Sequence, residues 1–250
     1  MINKKISKLA LYTFILIKVV SLNVLASQGE RCGSQAEMLT KEINIDLTKG
    51  SLGHRYADFQ LDSQPVVKAM LDTGGMGIGG IITEAMLAKM DINMSELNAV
   101  DSHGAHGSQR RKIVKIRQSN MAGAEAKDLL FLINDAPIMP KDGVTSLVGS
   151  KFLCQFQVML DFKKNRLTLR SQNFDLTEII DDTWLAMPFE NFMGTGGIII
   201  EVGINANKVK AVLDTGSYFT AINWKAAKLT GTNKGDIQLR QFEDSPHGLN

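Results

Sequence analysis

Val67-Lys68-Ala69-Met70-Leu71-Asp72-Thr73-Gly74 recurs 142 residues later as Val209-Lys210-Ala211-Val212-Leu213-Asp214-Thr215-Gly216. Seven of the eight positions are identical and the eighth exchanges Met70 for Val212. Chance does not produce such agreement, and the spacing is that of a domain rather than of a short solenoid unit. The chain therefore contains an internal duplication. The local context repeats as well. Tyr56 to Leu61 and Val66 to Leu71 read as two strands around the turn Asp62-Ser63-Gln64-Pro65. Ile198 to Ile204 and Lys208 to Leu213 repeat the pattern around Asn205-Ala206-Asn207. Each Asp-Thr-Gly closes the second strand of a hairpin. A stretch of helical character follows each one, Thr83 to Met90 and Asn223 to Leu229.

Working outward, Lys112 to Arg117 and Leu129 to Ile133 read as further strands. Leu147-Val148-Gly149 comes next, then a helical turn through Phe152-Leu153 and a strand pair, Val158 to Phe162 and Arg166 to Leu169. Many short strands with polar turns predict an all-β fold. The reading divides the chain into a targeting segment at 1–26, a first lobe at 42–170, a linker at 171–185 and a second lobe at 186–250. Only 36 residues follow Asp214, and no second apolar-apolar-Gly element is found there. The expectation is a second lobe incomplete in this sequence, which is either a fragment of a longer chain or a lobe of low stability by itself or completed by a partner chain.

In the targeting segment, Lys4, Lys5 and Lys8 precede a run of apolar character from Leu9 to Ile17, and Val24-Leu25-Ala26 supplies small residues for cleavage. Such a run spans roughly 13 Å as a helix, against the ~30 Å of a bilayer core. A periplasmic or secreted protein is expected, touching a membrane only through this segment if it stays uncleaved. The first 26 residues hold four lysines and no acid, so the remainder carries 24 basic and 26 acidic residues. That balance gives no reason to expect nucleic acid as a partner. Cys32 and Cys154 are the only cysteines. In an exported chain they can pair as one disulfide or remain two thiols. Neither lies in a CxxC, and His103 and His106 have no third ligand nearby, so no metal is expected.

A single Asp at a strand end is ordinarily a cap or turn residue. Two of them in duplicated hairpins are different, because duplicated lobes commonly pack about a pseudo-twofold axis that brings equivalent loops together. Two adjacent carboxylates cannot both ionise comfortably and share one proton. The ionised one can then take a proton from water while the protonated one bonds a carbonyl oxygen. A threonine hydroxyl can bond across such an interface, and glycine lets backbone approach the carboxylates.

The repeated Leu-Asp-Thr-Gly resembles the active-site loop of the aspartic peptidases, of retropepsin or pepsin type. Asp214 to Ile222 is similar to the family pattern throughout, Thr220 included, and Leu147-Val148-Gly149 resembles the family's second signature, packed beneath the catalytic loop. Phe162 to Leu167 is like the closing hairpin of retropepsin lobes, and Ser102 to Arg111 lies where the family places its flap. The resemblance covers roughly residues 42 to 232. It implies two related β-barrel lobes, catalytic Asp72 and Asp214, loop support from Thr73, Gly74, Thr215, Gly216 and Thr220, a peptide or protein substrate, and no cofactor. The sequence departs from the pattern at Gly75-Met76-Gly77-Ile78-Gly79-Gly80, which lacks the usual Ser or Ala after Gly74.

Two other readings compete. Gly75 to Gly80 matches G-x-G-x-x-G after a strand and before a helical stretch, with Glu96 about 20 residues on, which is a formal nucleotide-binding fingerprint. The second copy lacks these glycines yet keeps Asp-Thr-Gly, which nucleotide binding does not need. The other alternative is a non-catalytic peptide-binding protein on a peptidase scaffold. Arg110-Arg111-Lys112 is expected in a solvated loop, and the twelve methionines as core fillers and turn residues.

Overall fold

The computed structural model describes residues 40–232 except 91, 105, 106 and 182, together with 32, 37 and 38. His106, the targeting segment expected at 1–26 and residues 233–250 lie outside them. The described residues form an all-β architecture with three α-helices of four to six residues.

In chain order the strands are β1 (Glu37–Met38), β2 (Glu42–Asp46), β3 (Thr48–Lys49), β4 (Arg55–Leu61), β5 (Val67–Leu71) and β6 (Gly80–Thr83). Helix α1 (Glu84–Ala88) follows, then β7 (Ala99–Gly104), β8 (Gly107–Met121), β9 (Ala124–Asn134) and β10 (Ser146–Val148). After α2 (Ser150–Leu153) come β11 (Gln157–Asp161), β12 (Arg166–Arg170), β13 (Phe189–Phe192), β14 (Gly197–Ile204), β15 (Asn207–Val212) and α3 (Trp224–Leu229). Both helices predicted after the repeats form. Thr83 and Asn223 cap them by accepting from Met86 N and Ala226 N.

Nine strands make one sheet, ordered β1-β9-β6-β10-β5-β4-β8-β7 with β3 on β4, and a β8–β9 pairing closes it on itself. Closure removes the open edges that otherwise invite foreign strands. A second sheet, β11-β12-β2, packs on the same core. Phe59, Phe131 and Phe152 are fully buried at its centre, with Phe59 edge-on to Phe152 at 5.2 Å. Each such side chain stabilises by about 1.5–3 kcal/mol. The buried Arg170 guanidinium bonds Glu42 at 2.6 Å and so joins β12 to β2.

β8 is 15 residues long and serves two partners. Its second half pairs with β9, whereas Gly107 to Lys112 pairs with β7 as a hairpin extending from the sheet. The described residues of Ser102 to Arg111, the segment placed at the family's flap position, therefore lie in this hairpin. Arg110, Arg111 and Lys112 stand on β8 and not in a loop, and exposed Arg110 pairs with Asp101 at 3.6 Å. Alternation of charged and apolar residues is weak here because both faces of the projecting ribbon meet solvent.

Beyond residue 170 the burial changes character. β13-β14-β15 form a separate three-stranded sheet. Ala227 is the one fully buried apolar residue in this part among the described residues, whereas Leu185, Met193 and Leu229 are 78%, 82% and 63% exposed. The two parts are tied by the β13–β14 turn: Gly77 N donates to Thr195 O at 3.0 Å, Ser150 Oγ to the same oxygen at 2.7 Å, and Lys151 Nζ to Gly194 O at 2.6 Å. Beside this contact Cys32 and Cys154 are joined as a disulfide.

This distribution predicts a gradient in native-state hydrogen exchange. Amides of β4, β5, β8 and β9 are expected to exchange slowest, and those of β13 to β15 at least about tenfold faster, the ratio for each ~1.4 kcal/mol of opening free energy. Equal protection in both sheets would show that apolar burial does not set local stability here.

Candidate active site

The site is built where the two copies of the repeat meet. β4 and β5 form the first hairpin, with Tyr56 opposite Met70, and β14 and β15 form the second, with Ile200 opposite Ala211. Each delivers its Asp one or two residues past the second strand. The first loop is held from beneath by Leu147-Val148-Gly149. β10 runs parallel to β5, Val148 O accepts from Asp72 N at 3.0 Å, and Gly149 N donates to Gly79 O at 2.8 Å. Ser150 N and Oγ then bond Gly75 O at 2.9 and 3.1 Å.

The threonines lock the two loops reciprocally. Thr73 N donates to Thr215 Oγ1 at 3.1 Å, and Thr215 N donates to Thr73 Oγ1 at 3.0 Å. Each hydroxyl in turn donates to a carbonyl of the opposite copy, Thr73 to Leu213 O at 2.6 Å and Thr215 to Leu71 O at 2.9 Å. This pseudo-twofold set of four bonds gives each threonine N–H and each hydroxyl hydrogen a partner in the other copy.

The same symmetry presses each glycine against the other copy's carboxyl. A Cβ on Gly74 would lie 2.6 Å from Asp214 Oδ1, and one on Gly216 would lie 2.5 Å from Asp72 Oδ1. No side chain fits at either position. Gly74 N and Gly75 N donate to Asp72 Oδ1 at 2.8 and 3.0 Å, and Gly216 N donates to Asp214 Oδ1 at 2.8 Å. Asp72 is half-buried and Asp214 exposed. Burial pushes the Asp72 carboxyl up to about 7, aided by the Asp214 charge and a hydrogen bond between the two, against the pull of the Gly74 and Gly75 amides. The desolvation and like-charge effects outweigh two backbone donors.

Of the residues singled out from sequence, Asp72, Thr73, Gly74, Asp214, Thr215 and Gly216 converge, with Leu147, Val148 and Gly149 directly below. Thr220 stands exposed beyond the loop and makes none of these bonds. His103 lies exposed on β7, bonded to Ser108 Oγ at 2.8 Å. Among the described residues no three His, Cys, Asp or Glu side chains are grouped to hold a metal.

The nucleotide fingerprint meets a different structure from the one it needs. Gly80 opens strand β6, not a helix, and its Cβ position is occupied by Leu147 O. The loop amides are already spent: Gly75 on Asp72, Met76 on Gly74 O, Gly77 on Thr195 O and Gly79 on Leu130 O. The glycines serve close packing of loop, β10 and the β13–β14 turn, and no run of free N–H groups is left to cradle a phosphate.

Residues 57–152 match the family model for aspartyl protease. The chain resembles the aspartic peptidases. The matched stretch is less than half of the chain and contains Asp72 but not Asp214, so the second copy is joined to the aspartyl protease segment by the geometry above. A solved structure, a retropepsin-like aspartic protease from Rickettsia conorii, is similar at 20% identity and a TM-score of 0.42, covering 56% of this chain and 97% of its own. No curated protein matches.

Sequence reasoning passed over His54. It is 5% exposed, and its Nε2 lies 2.9 Å from Gly216 O. Nothing in the local pattern marks it, because the contact joins residues 162 positions apart.

Two measurements check this geometry. Thr73→Val removes a hydroxyl that serves both as donor and acceptor in a buried interface, and is expected to cost about 2–3 kcal/mol in urea unfolding, while Thr73→Ser costs under about 1. Equal, small losses would mean that the threonine bonds are not made. The raised Asp72 value has its own sign: between the ordinary 3.8 and about 7 the folded chain holds a proton that the unfolded chain releases. That stability is full below the lower value and lost as pH rises through the upper one, at up to about 1.4 kcal/mol per pH unit. The stability difference between wild type and Asp72→Asn should follow this slope, and a pH-independent difference would contradict it.

Proposed function

We propose that this chain is an aspartic endopeptidase in which Asp72 and Asp214 act as one proton-sharing dyad. The observation that carries the reading is the reciprocal Thr73–Thr215 lock, which holds the two Asp-Thr-Gly loops so close that each glycine abuts the other carboxyl. The aspartyl protease match over residues 57–152 supports the same chemistry.

The chemistry follows from the asymmetry. Asp72, whose carboxyl burial favours the protonated form, serves as the acid, and Asp214, more open to solvent, serves as the base. The Asp214 carboxylate takes a proton from a water molecule as its oxygen attacks the peptide carbonyl carbon, and Asp72 gives its proton to the carbonyl oxygen. Breakdown of the resulting diol returns a proton to Asp72 and passes one to the leaving nitrogen, so both carboxyls recover their starting states. No cofactor enters the cycle. We further propose export to the periplasm or the cell exterior, supported by the charged and apolar pattern of residues 1–26 and by the Cys32–Cys154 disulfide.

The test is hydrolysis of a mixed peptide library, read by mass spectrometry, across pH 3 to 9. Cleavage should be strongest on the acid side of neutrality and decline as pH rises through about 7, where the dyad loses its last proton. Asp72→Asn and Asp214→Asn are each expected to lower kcat by roughly 10³-fold or more, and the double variant should be hardly worse than either, because the pair acts as a unit. Peptide binding without cleavage by wild type would instead favour a binding protein on this scaffold, and full activity of Asp214→Asn would remove the second copy from catalysis.

A further inference from the structure

We infer that His54 is a positioning residue for the dyad, a first-copy side chain that fixes the backbone of the second Asp-Thr-Gly loop through Gly216 O. The inference rests on the proposed peptidase reading for its kinetic consequence, though not for the contact itself. Its origin is an asymmetry between the two loops. Below the first, β10 and Ser150 bond Asp72 N and Gly75 O, and Gly74 O accepts from Met76 N at 2.8 Å. The second loop receives a bond at Gly216 O from His54, across 162 residues of chain. Gly216 has to be glycine, since any Cβ would strike Asp72, so its own backbone torsions are the least restrained in the loop. An external donor at its carbonyl removes that freedom. Gly216 N is the group that holds Asp214 Oδ1, so the donor also sets the carboxylate.

His54 is itself well anchored. It closes the turn between β3 and β4, where Gly50 N donates to His54 O at 2.9 Å and Ser51 N and Oγ bond Asp142 Oδ2 at 3.1 and 3.2 Å. Its ring lies beside Tyr56, which donates to Asp142 at 2.5 Å, and Tyr218 of the second loop meets it edge-on with centroids 5.9 Å apart. Nδ1 is buried and has no hydrogen-bond partner among the described residues. A carbonyl oxygen can only accept, so Nε2 carries a hydrogen and donates it to Gly216 O. Asp142 faces the ring from the Pro140–Asp142 turn, but its carboxylate is engaged by Tyr56 and Ser51.

Three variants separate positioning from packing. Gln places an amide N–H near the Nε2 position, Asn falls short of it, and Phe keeps the ring without a donor. His54→Phe and His54→Asn are expected to fold, by circular dichroism, and to lower kcat by roughly 10–100-fold with KM within about threefold, as for a misplacement near 1 Å. His54→Gln should recover to within about fivefold. In parallel, ¹⁵N NMR should find the hydrogen of wild-type His54 on Nε2, and the Asp72 carboxyl should titrate at lower pH in His54→Phe, because a loosened Asp214 raises it less. These two readouts need no catalysis, so a wild type that cleaves no peptide would sink the peptidase reading while leaving His54 to be judged by them. A hydrogen on Nδ1, an Asp72 titration unmoved by His54→Phe, or Gln no better than Phe would overturn the inference.

Discussion

The four bonds between Thr73 and Thr215 are the constraint on which everything else at the site depends. They fix the distance between two loops that come from opposite ends of the chain, and each bond is matched by its counterpart from the other copy. Because both backbone N–H groups and both hydroxyls are consumed, a slip of either loop would leave several buried polar groups unpaired at once. That cooperativity allows an otherwise costly arrangement, two carboxyls in contact with one of them poorly solvated. It also dictates glycine after each threonine, since the space is taken by the opposite carboxyl.

The symmetry stops at the loops. The first is embedded in a closed sheet with a large apolar core, and β10 lies directly beneath it. The second rests on a three-stranded sheet whose side chains are largely half-buried or exposed. Its position comes mainly from groups of the first part: the Thr73 lock, His54 at Gly216 O, and Gly77, Ser150 and Lys151 at the Gly194–Thr195 turn. The unequal burial has a chemical result. It favours the proton on the Asp72 carboxyl while Asp214 stays open to solvent, an asymmetry that comes from the fold and not from the identical local sequence.

Much of this was legible in the sequence because a near-identical octapeptide leaves little freedom: both hairpins, both short helices and the β10 segment fall where the pattern placed them. Strands β2, β3, β6 and β13 were not foreseen. They are short, and Gly80–Thr83 is hidden by the glycines around it, which formally match a phosphate loop as well but serve close contacts with Leu147, Leu129 and Phe131. Arg110, Arg111 and Lys112 read as a loop because the part of β8 on which they stand has no buried face to impose an alternation. His54 was invisible for a different reason. A contact between a turn histidine and a carbonyl so distant in sequence leaves no periodic trace, and Thr220, which fits the family pattern well, has no partner in the site it was expected to support.

The central claim is that the two copies of the repeat create one ionisation site. The most direct measurement is a ¹³C NMR titration of the Asp72 carboxyl in wild type and in Asp214→Asn. The account predicts that Asp72 titrates near 7 in wild type and shifts toward the acid range once the Asp214 charge is gone, retaining only the part due to burial. An Asp72 that titrates as an ordinary carboxyl, with the same midpoint in both proteins, would contradict it.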